Sequence, residues 1–176
     1  MKTEKITLHW TAGRYLPNAR EKNDYHLLIL KDGEMLKTHN FDLRLEHCWQ
    51  DNTGNLGLAV CGMLGARPGD FGAYPFTPRQ LSGLIEAAAM LCALKNIPVE
   101  AVQTHAERAV KKGYFGERWD FAILAPQAKT TPGEALKTGN FLRGKITGKL
   151  SAIKAAGLYR NRFYPVLIKN FKEEQA

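Results

Sequence analysis

Val102-Gln103-Thr104-His105-Ala106-Glu107 is an apolar, β-prone run that ends in a histidine, and fifteen positions beyond His105 stands a carboxylate, Asp120, in Arg118-Trp119-Asp120. A further apolar run, Phe121 to Leu124, follows that carboxylate and reads as a strand or extended segment. A second run of the same kind, Ile6-Thr7-Leu8, ends in His9. Strands that lie side by side deliver their last side chains to one rim of a sheet. Two imidazoles and one carboxylate gathered there, with one position open, form the ligand set of a catalytic zinc that activates water. Taken on its own segment, His9 reads equally well as a strand-end residue with no ligand role.

The remaining elements can be placed outward from these runs. Trp10-Thr11-Ala12-Gly13 is a turn-like exit from the first strand, and Pro17 to Asp24 is a polar stretch. Tyr25 opens the next strand, Tyr25-His26-Leu27-Leu28-Ile29-Leu30, which pairs with Met35-Leu36-Lys37-Thr38. The Asp32-Gly33 pair between them accepts the positive φ angles of a tight turn, so the two form a hairpin. Asn40 to Gly54 is an irregular polar loop holding His47, Cys48, Trp49 and Asn52. It either lines a pocket or is packed on the body by Trp49. Leu56 to Cys61 is short and apolar, as a buried strand is, and the glycine-rich segment from Gly62 to Ala73 is a loop.

Thr77-Pro78-Arg79-Gln80 carries a helix start, with a capping threonine, a proline suited to the first helical position and a glutamine that can close a capping box. Leu81, Leu84, Ile85, Ala88, Leu91 and Cys92 then recur at helical spacing, so one face lies on the sheet, and the helix ends near Lys95-Asn96. Lys111 to Gly116 reads as a loop, either one wall of the site or a simple connection. From Gln127 to Gly139 the composition shifts to Thr, Pro, Gly and Lys, marking the edge of the body. Beyond it lie a basic helix, Lys145 to Ala156, and an aromatic run, Tyr159 to Phe171.

With 176 residues and 44% hydrophobic content, the chain can bury a core of ordinary size. Cys48, Cys61 and Cys92 form no paired framework and no CxxC, so they read as reduced and structural. The chain enters its first strand within five residues, with no apolar region of a secretory signal, and contains no apolar run long enough for a bilayer. Synthesis in the cytoplasm is expected. The net charge of +8 is concentrated at the end: residues 129–176 hold ten Lys or Arg against three Glu, and residues 1–128 hold fifteen basic against fourteen acidic residues. A cationic tail suits any polyanion, so charge alone selects no partner. With no helix-turn-helix or RNP-type motif in the body, a specific nucleic-acid binder is disfavoured.

Five blocks in order resemble the zinc-dependent N-acetylmuramoyl-L-alanine amidases, the family of phage amidase endolysins and peptidoglycan recognition proteins. They are Ile6 to Ala12; Tyr25 to Ile29 with Asp32-Gly33; His47 to Val60; Tyr74-Pro75-Phe76-Thr77 with Gln80-Leu81; and Thr104-His105-Ala106-Glu107 with Arg118-Trp119-Asp120. The third and fifth look most like prophage-type members. The resemblance implies an α/β fold with a single mixed central β-sheet flanked by helices. It places the zinc amidase domain at residues 1–128 and leaves 129–176 as a basic C-terminal extension, either wall-targeting or packed on the domain.

By the same resemblance His9, His105 and Asp120 are the zinc ligands. Tyr25 stands beside the water as a catalytic residue, and Arg118 takes the place of a lysine that steadies the oxyanion. Arginine there offers a planar fork in place of a point charge. His47, with Trp10 and Asn52, is expected to contact substrate. Some members carry a glutamate where this chain has Ala59, which moves the expectation toward the endolysin-like arrangement. Many follow the last ligand with Pro-Gly, where this chain has Phe121-Ala122.

The implied activity is hydrolysis of the amide between N-acetylmuramic acid and L-alanine in peptidoglycan. The alternative is a binding module that grips peptidoglycan without cutting it. The expected setting is a monomer made without a signal peptide and brought to the wall by release or another export route, its basic tail drawn to the anionic envelope.

Overall fold

Leu8 pairs with Thr104 in a parallel register, so the next residues along, His9 near the end of one strand and His105 just past the end of its neighbour, stand side by side at one rim. The computed structural model in which this is seen describes residues 2–114, 118–127 and 130–156. Five strands among these residues form one mixed sheet: β1 (Lys5–Trp10), β2 (Leu27–Ile29), β3 (Met35–Lys37), β4 (Asn55–Val60) and β5 (Val102–Thr104), in the order β3-β2-β4-β1-β5. All neighbours are parallel except β2 and β3, whose antiparallel hairpin turns through Gly33 at φ 92°. The two central strands, β1 and β4, are buried almost throughout, as parallel strands covered on both faces must be.

Among the described residues four α-helices accompany the sheet: α1 (Ala19–Asp24), α2 (Pro78–Lys95), α3 (His105–Lys112) and α4 (Pro132–Ala155). Helix α2 begins as its sequence predicts. Thr77 accepts from the Gln80 N–H, the Gln80 side chain returns to the Thr77 N–H, and Asn96 closes the far end at φ 54°. Its buried residues, Leu84, Ala87, Ala88 and Leu91 among them, cover one face of the sheet.

Three segments around the histidines and Asp120 differ from the sequence expectation, and each difference has a local cause. The polar stretch before Tyr25 contains α1, closed by a capping box between Asn18 and Glu21, so Tyr25 follows a helix and does not open a strand. His105 does not end a strand but starts α3, with Thr104 as the cap accepting from the Glu107 N–H. Phe121 to Leu124 is no strand. Phe121 turns at φ 59° with its ring fully buried, and the Ala122 N–H closes a turn on Trp119.

Helix α4 starts well before Lys145, because Thr131, Pro132 and Glu134 form the same kind of capping box that opens α2. It buries Ala135, Leu142, Ile146 and Ile153. Arg143 grips Glu107 of α3 with two bonds of 2.7 Å. Gly139 permits the close approach, since a Cβ there would stand 2.1 Å from a Glu107 oxygen. Residues 132–155 are therefore part of the packed body. The aromatic run Tyr159 to Phe171 lies outside the described residues, among which no helix is long and apolar enough to cross a membrane.

Candidate metal centre

Asp120 collects both histidines on one oxygen. Its Oδ2 lies 2.8 Å from Nδ1 of His9 and 2.8 Å from Nδ1 of His105, and the two imidazole centroids are 4.6 Å apart. Its Oδ1 accepts the Trp10 N–H at 2.9 Å, and its own carbonyl accepts the Ala106 N–H at 2.7 Å. The turn that carries Asp120 is thus tied to the residue after His9 and to the residue after His105. Burial opposes ionisation of this carboxyl, yet the adjacent His9 and His105 outweigh it and hold the group well below the usual carboxylate range.

The proton positions follow from a chain of hydrogen bonds. His47 Nε2 lies 3.1 Å from the Asn55 carbonyl, which can only accept, so Nε2 carries the proton. His47 Nδ1 then presents a lone pair to His9 Nε2 at 3.1 Å, and His9 Nε2 must donate. Burial first, and then the neighbouring His9, push the His47 pKa down to about 2, so this ring stays neutral. If His9 is neutral as well, its Nδ1 directs a lone pair at the Asp120 oxygen 2.8 Å away. Two acceptors hold that separation only with a proton or a cation between them.

A zinc ion fits this demand. Bonds of about 2.0–2.1 Å in tetrahedral geometry separate ligand atoms by about 3.3 Å, so the Asp120 oxygen need draw back from each imidazole nitrogen by only about half an ångström. A second group, His9, His47 and Cys48, also brings its ligand atoms within 4.8 Å of one another. It is the poorer donor set. The His47 lone pair already accepts from His9, a ring that the same group would also need as a ligand.

A glycine makes room for His47. A Cβ on Gly57 of β4 would stand 2.7 Å from the His47 ring, so the ring can lie against the strand and reach Asn55 only because position 57 has no side chain. Gly57→Ala is expected to cost about 1–3 kcal/mol, the usual range for overpacking, and to dislodge the His47 ring. Chemical denaturation and the imidazole NMR signals would measure both; an unchanged His47 signal contradicts the packing account.

His26, next to the hairpin, is fully buried and neutral: its Nδ1 accepts the Gly57 N–H at 3.0 Å and its Nε2 donates to the Leu43 carbonyl at 3.1 Å. Burial lowers its pKa to about 4. The unfolded chain takes up this proton near pH 6.5 and the folded chain only near pH 4. Stability is therefore complete above about pH 6.5 and falls as pH drops toward 4, by about 3 kcal/mol for this group. Urea melts at pH 7.5 and pH 4.5 should show the loss, and His47 adds to it with the same sign.

The other expected site residues divide into two groups. The Tyr25 ring is 5.1 Å from that of His9, and burial, followed by the charge of Asp120, raises its phenol well above the ordinary value, so it remains protonated. Arg118 lies two residues before Asp120, and its Nε donates to the Tyr114 carbonyl at 3.1 Å. Trp10, by contrast, is buried among Phe71, Trp119 and Phe121, and what it brings to the site is its backbone N–H. Asn52 is also buried. Its Oδ1 accepts from the N–H groups of His47 and Cys48 and so shapes their loop. His47, with both nitrogens engaged and 8% of its surface exposed, belongs with these framing residues.

Sequence reasoning passed over Asp51 and Arg108. Arg108 of α3 is fully buried, donates to Asp51 at 2.8 Å and to the Trp49 carbonyl, and thereby pins the His47 loop to the helix that begins with His105. The capping signal Thr104-x-x-Glu107 could have revealed the helix, though nothing local pairs Arg108 with Asp51.

A family model described as N-acetylmuramoyl-L-alanine amidase matches residues 1–134. The chain belongs to that family. No curated protein sequence matches it significantly. Among solved structures, this amidase-family chain is similar to a mutant of PlyL, with TM-score 0.52 and 18% identity over 86% of each chain. It is also similar to the amidase AmiD from E. coli, solved with anhydro-N-acetylmuramic acid-L-Ala-D-gamma-Glu-L-Lys, with TM-score 0.53 and 19% identity, covering 64% of this chain and 51% of AmiD. At such identity the likeness is one of fold. The match to the amidase family ends inside the first turn of α4.

Proposed function

We infer that the chain hydrolyses the amide joining the lactyl group of N-acetylmuramic acid to L-alanine, with zinc held by His9, His105 and Asp120. One observation carries this: two imidazole nitrogens converge at 2.8 Å on a single carboxylate oxygen, a cluster that calls for a cation, in a chain of the amidase family. Zinc at such a set supplies positive charge that polarises an amide carbonyl and acidifies water.

The protein groups divide the remaining work. His47 holds the His9 ring with Nε2 turned toward it and Nδ1 turned toward Asp120, a supporting hydrogen bond of the kind that tunes metal affinity. Tyr25 orients water by donating its O–H, since its raised pKa makes it a poor base at neutral pH. Arg118 steadies the negative charge that develops on the carbonyl oxygen, a role worth roughly 2.7–4 kcal/mol where comparable donors have been removed. The substrate class agrees with the muropeptide held by AmiD, which carries the same N-acetylmuramic acid to L-Ala linkage.

The biological role that fits best is endolysin-like lysis of the wall by a monomer. The basic residues of 129–176 would raise its concentration at the anionic envelope.

Mass spectrometry of digested peptidoglycan tests the reaction. Stem peptides with a free L-alanine amine should appear with zinc and vanish on chelation. Cleavage at a glycosidic or peptide bond sinks the amidase reading. Retention on the wall with no release and a zinc content near zero points to a binding module.

A further inference from the structure

Trp49 stands beside the centre with 55% of its surface exposed, an unusual setting for the largest apolar side chain. It does not pack the loop onto the body. The Tyr114 ring meets it edge-on at 4.5 Å, and that ring is itself backed by the Arg108 guanidinium at 5.3 Å. The same guanidinium holds the Trp49 carbonyl, and Gln50, in the left-handed region at φ 53°, turns the chain immediately after the indole and accepts the Tyr114 O–H at 3.4 Å. Trp49 is therefore braced from beneath and open above.

Both members of the pair are tied to the site. Trp49 follows Cys48, whose sulfur is 3.8 Å from His9 Nε2, and the Tyr114 carbonyl accepts from Arg118. On the inferred reaction, a pyranose ring must lie a few bonds from the carbonyl that is attacked, because the lactyl group is an ether of the sugar. The axial C–H bonds of a pyranose make an apolar face that stacks on an aromatic ring, and the indole keeps an N–H for a sugar oxygen.

We propose that Trp49, braced by Tyr114, is the platform on which the glycan strand rests, so that this rim binds the sugar and sets the preference for sugar-bearing substrates. The proposal deepens the amidase reading and rests on it for the identity of the sugar.

The test compares Trp49→Ala and Trp49→Phe with the full wild-type chain on two substrates: a peptidoglycan muropeptide, and a lactoyl-L-alanine peptide that has the same amide and no ring. Titration with chitotetraose, a peptide-free N-acetylglucosamine oligomer, is followed by indole fluorescence and calorimetry. Trp49→Ala should raise KM for the muropeptide by at least about fivefold more than for the lactoyl peptide and weaken chitotetraose to the same degree, with Trp49→Phe intermediate. Equal losses on both substrates would mean a merely structural role, and no loss on either would mean no role; each overturns the proposal. Should the wild type cut neither substrate, the amidase reading falls, and the chitotetraose titration still decides whether Trp49 binds sugar.

Discussion

Asp120→Asn is expected to lower stem-peptide release by at least about 1,000-fold and to empty the proposed zinc site in the same step. The substitution preserves shape and can still accept the Trp10 N–H through its amide oxygen, so the turn should survive. What it removes is the negative charge shared by two imidazoles at 2.8 Å. Facing these rings, an amide offers either a weaker acceptor or an N–H, and neither replaces an anionic ligand. Metal and framing groups act as a unit, and losing one member of such a unit costs close to the loss of the whole. Zinc content by mass spectrometry and release of L-alanine-terminated peptides measure the two effects separately. A variant that keeps zinc and activity would show that the ligand set is not His9, His105 and Asp120.

Arg108→Ala should lower stability by about 3 kcal/mol. The guanidinium is 1% exposed and reaches the 9%-exposed Asp51 side chain, so truncation leaves a buried carboxylate short of its best partner and a cavity under Tyr114. Breaking such a buried pair costs about 3–5 kcal/mol. The lower end is expected here because Lys5 and Lys112 also reach Asp51. For a chain of this length the thermal midpoint should drop by roughly 6–12 °C. Scanning calorimetry measures it, and a drop below about 2 °C would mean that the surface lysines suffice. The same substitution frees the His47 loop from α3, so on the proposed ligand set zinc affinity should fall as well.

The strands and α2 were legible because their signals are local: apolar runs of four to six residues, an Asp-Gly turn, and a capped helix with a long apolar face. Helices α1 and α3 were not, since each is short and mostly polar; α3 has only Ala106, Ala109 and Val110 at helical spacing, too brief a pattern to stand out beside the strand before it. Their caps were nonetheless written in Asn18-x-x-Glu21 and Thr104-x-x-Glu107, as that of α4 was in Thr131-Pro132-x-Glu134. Phe121 to Leu124 misled for the opposite reason. An apolar run of that length suits a strand, but here Phe121, Ala122 and Ile123 plug the core from a turn, and Trp10, Phe76 and Phe121 pack ring against ring.

The residue types of the centre lay in order along the chain, and the amidase family was legible in five ordered blocks, because such local motifs survive without coordinates. Which nitrogen of His9 faces the carboxylate was not readable. That depends on His47 meeting a carbonyl of β4 across a glycine, and so on groups 38 and 46 residues from His9 whose contact exists only once the sheet has formed. Trp49 makes the same point. By itself the residue argues for burial, and only the packed Arg108 and Tyr114 beneath it decide that its ring stays in solvent, because a side chain's exposure is set by what already occupies the space it would otherwise fill.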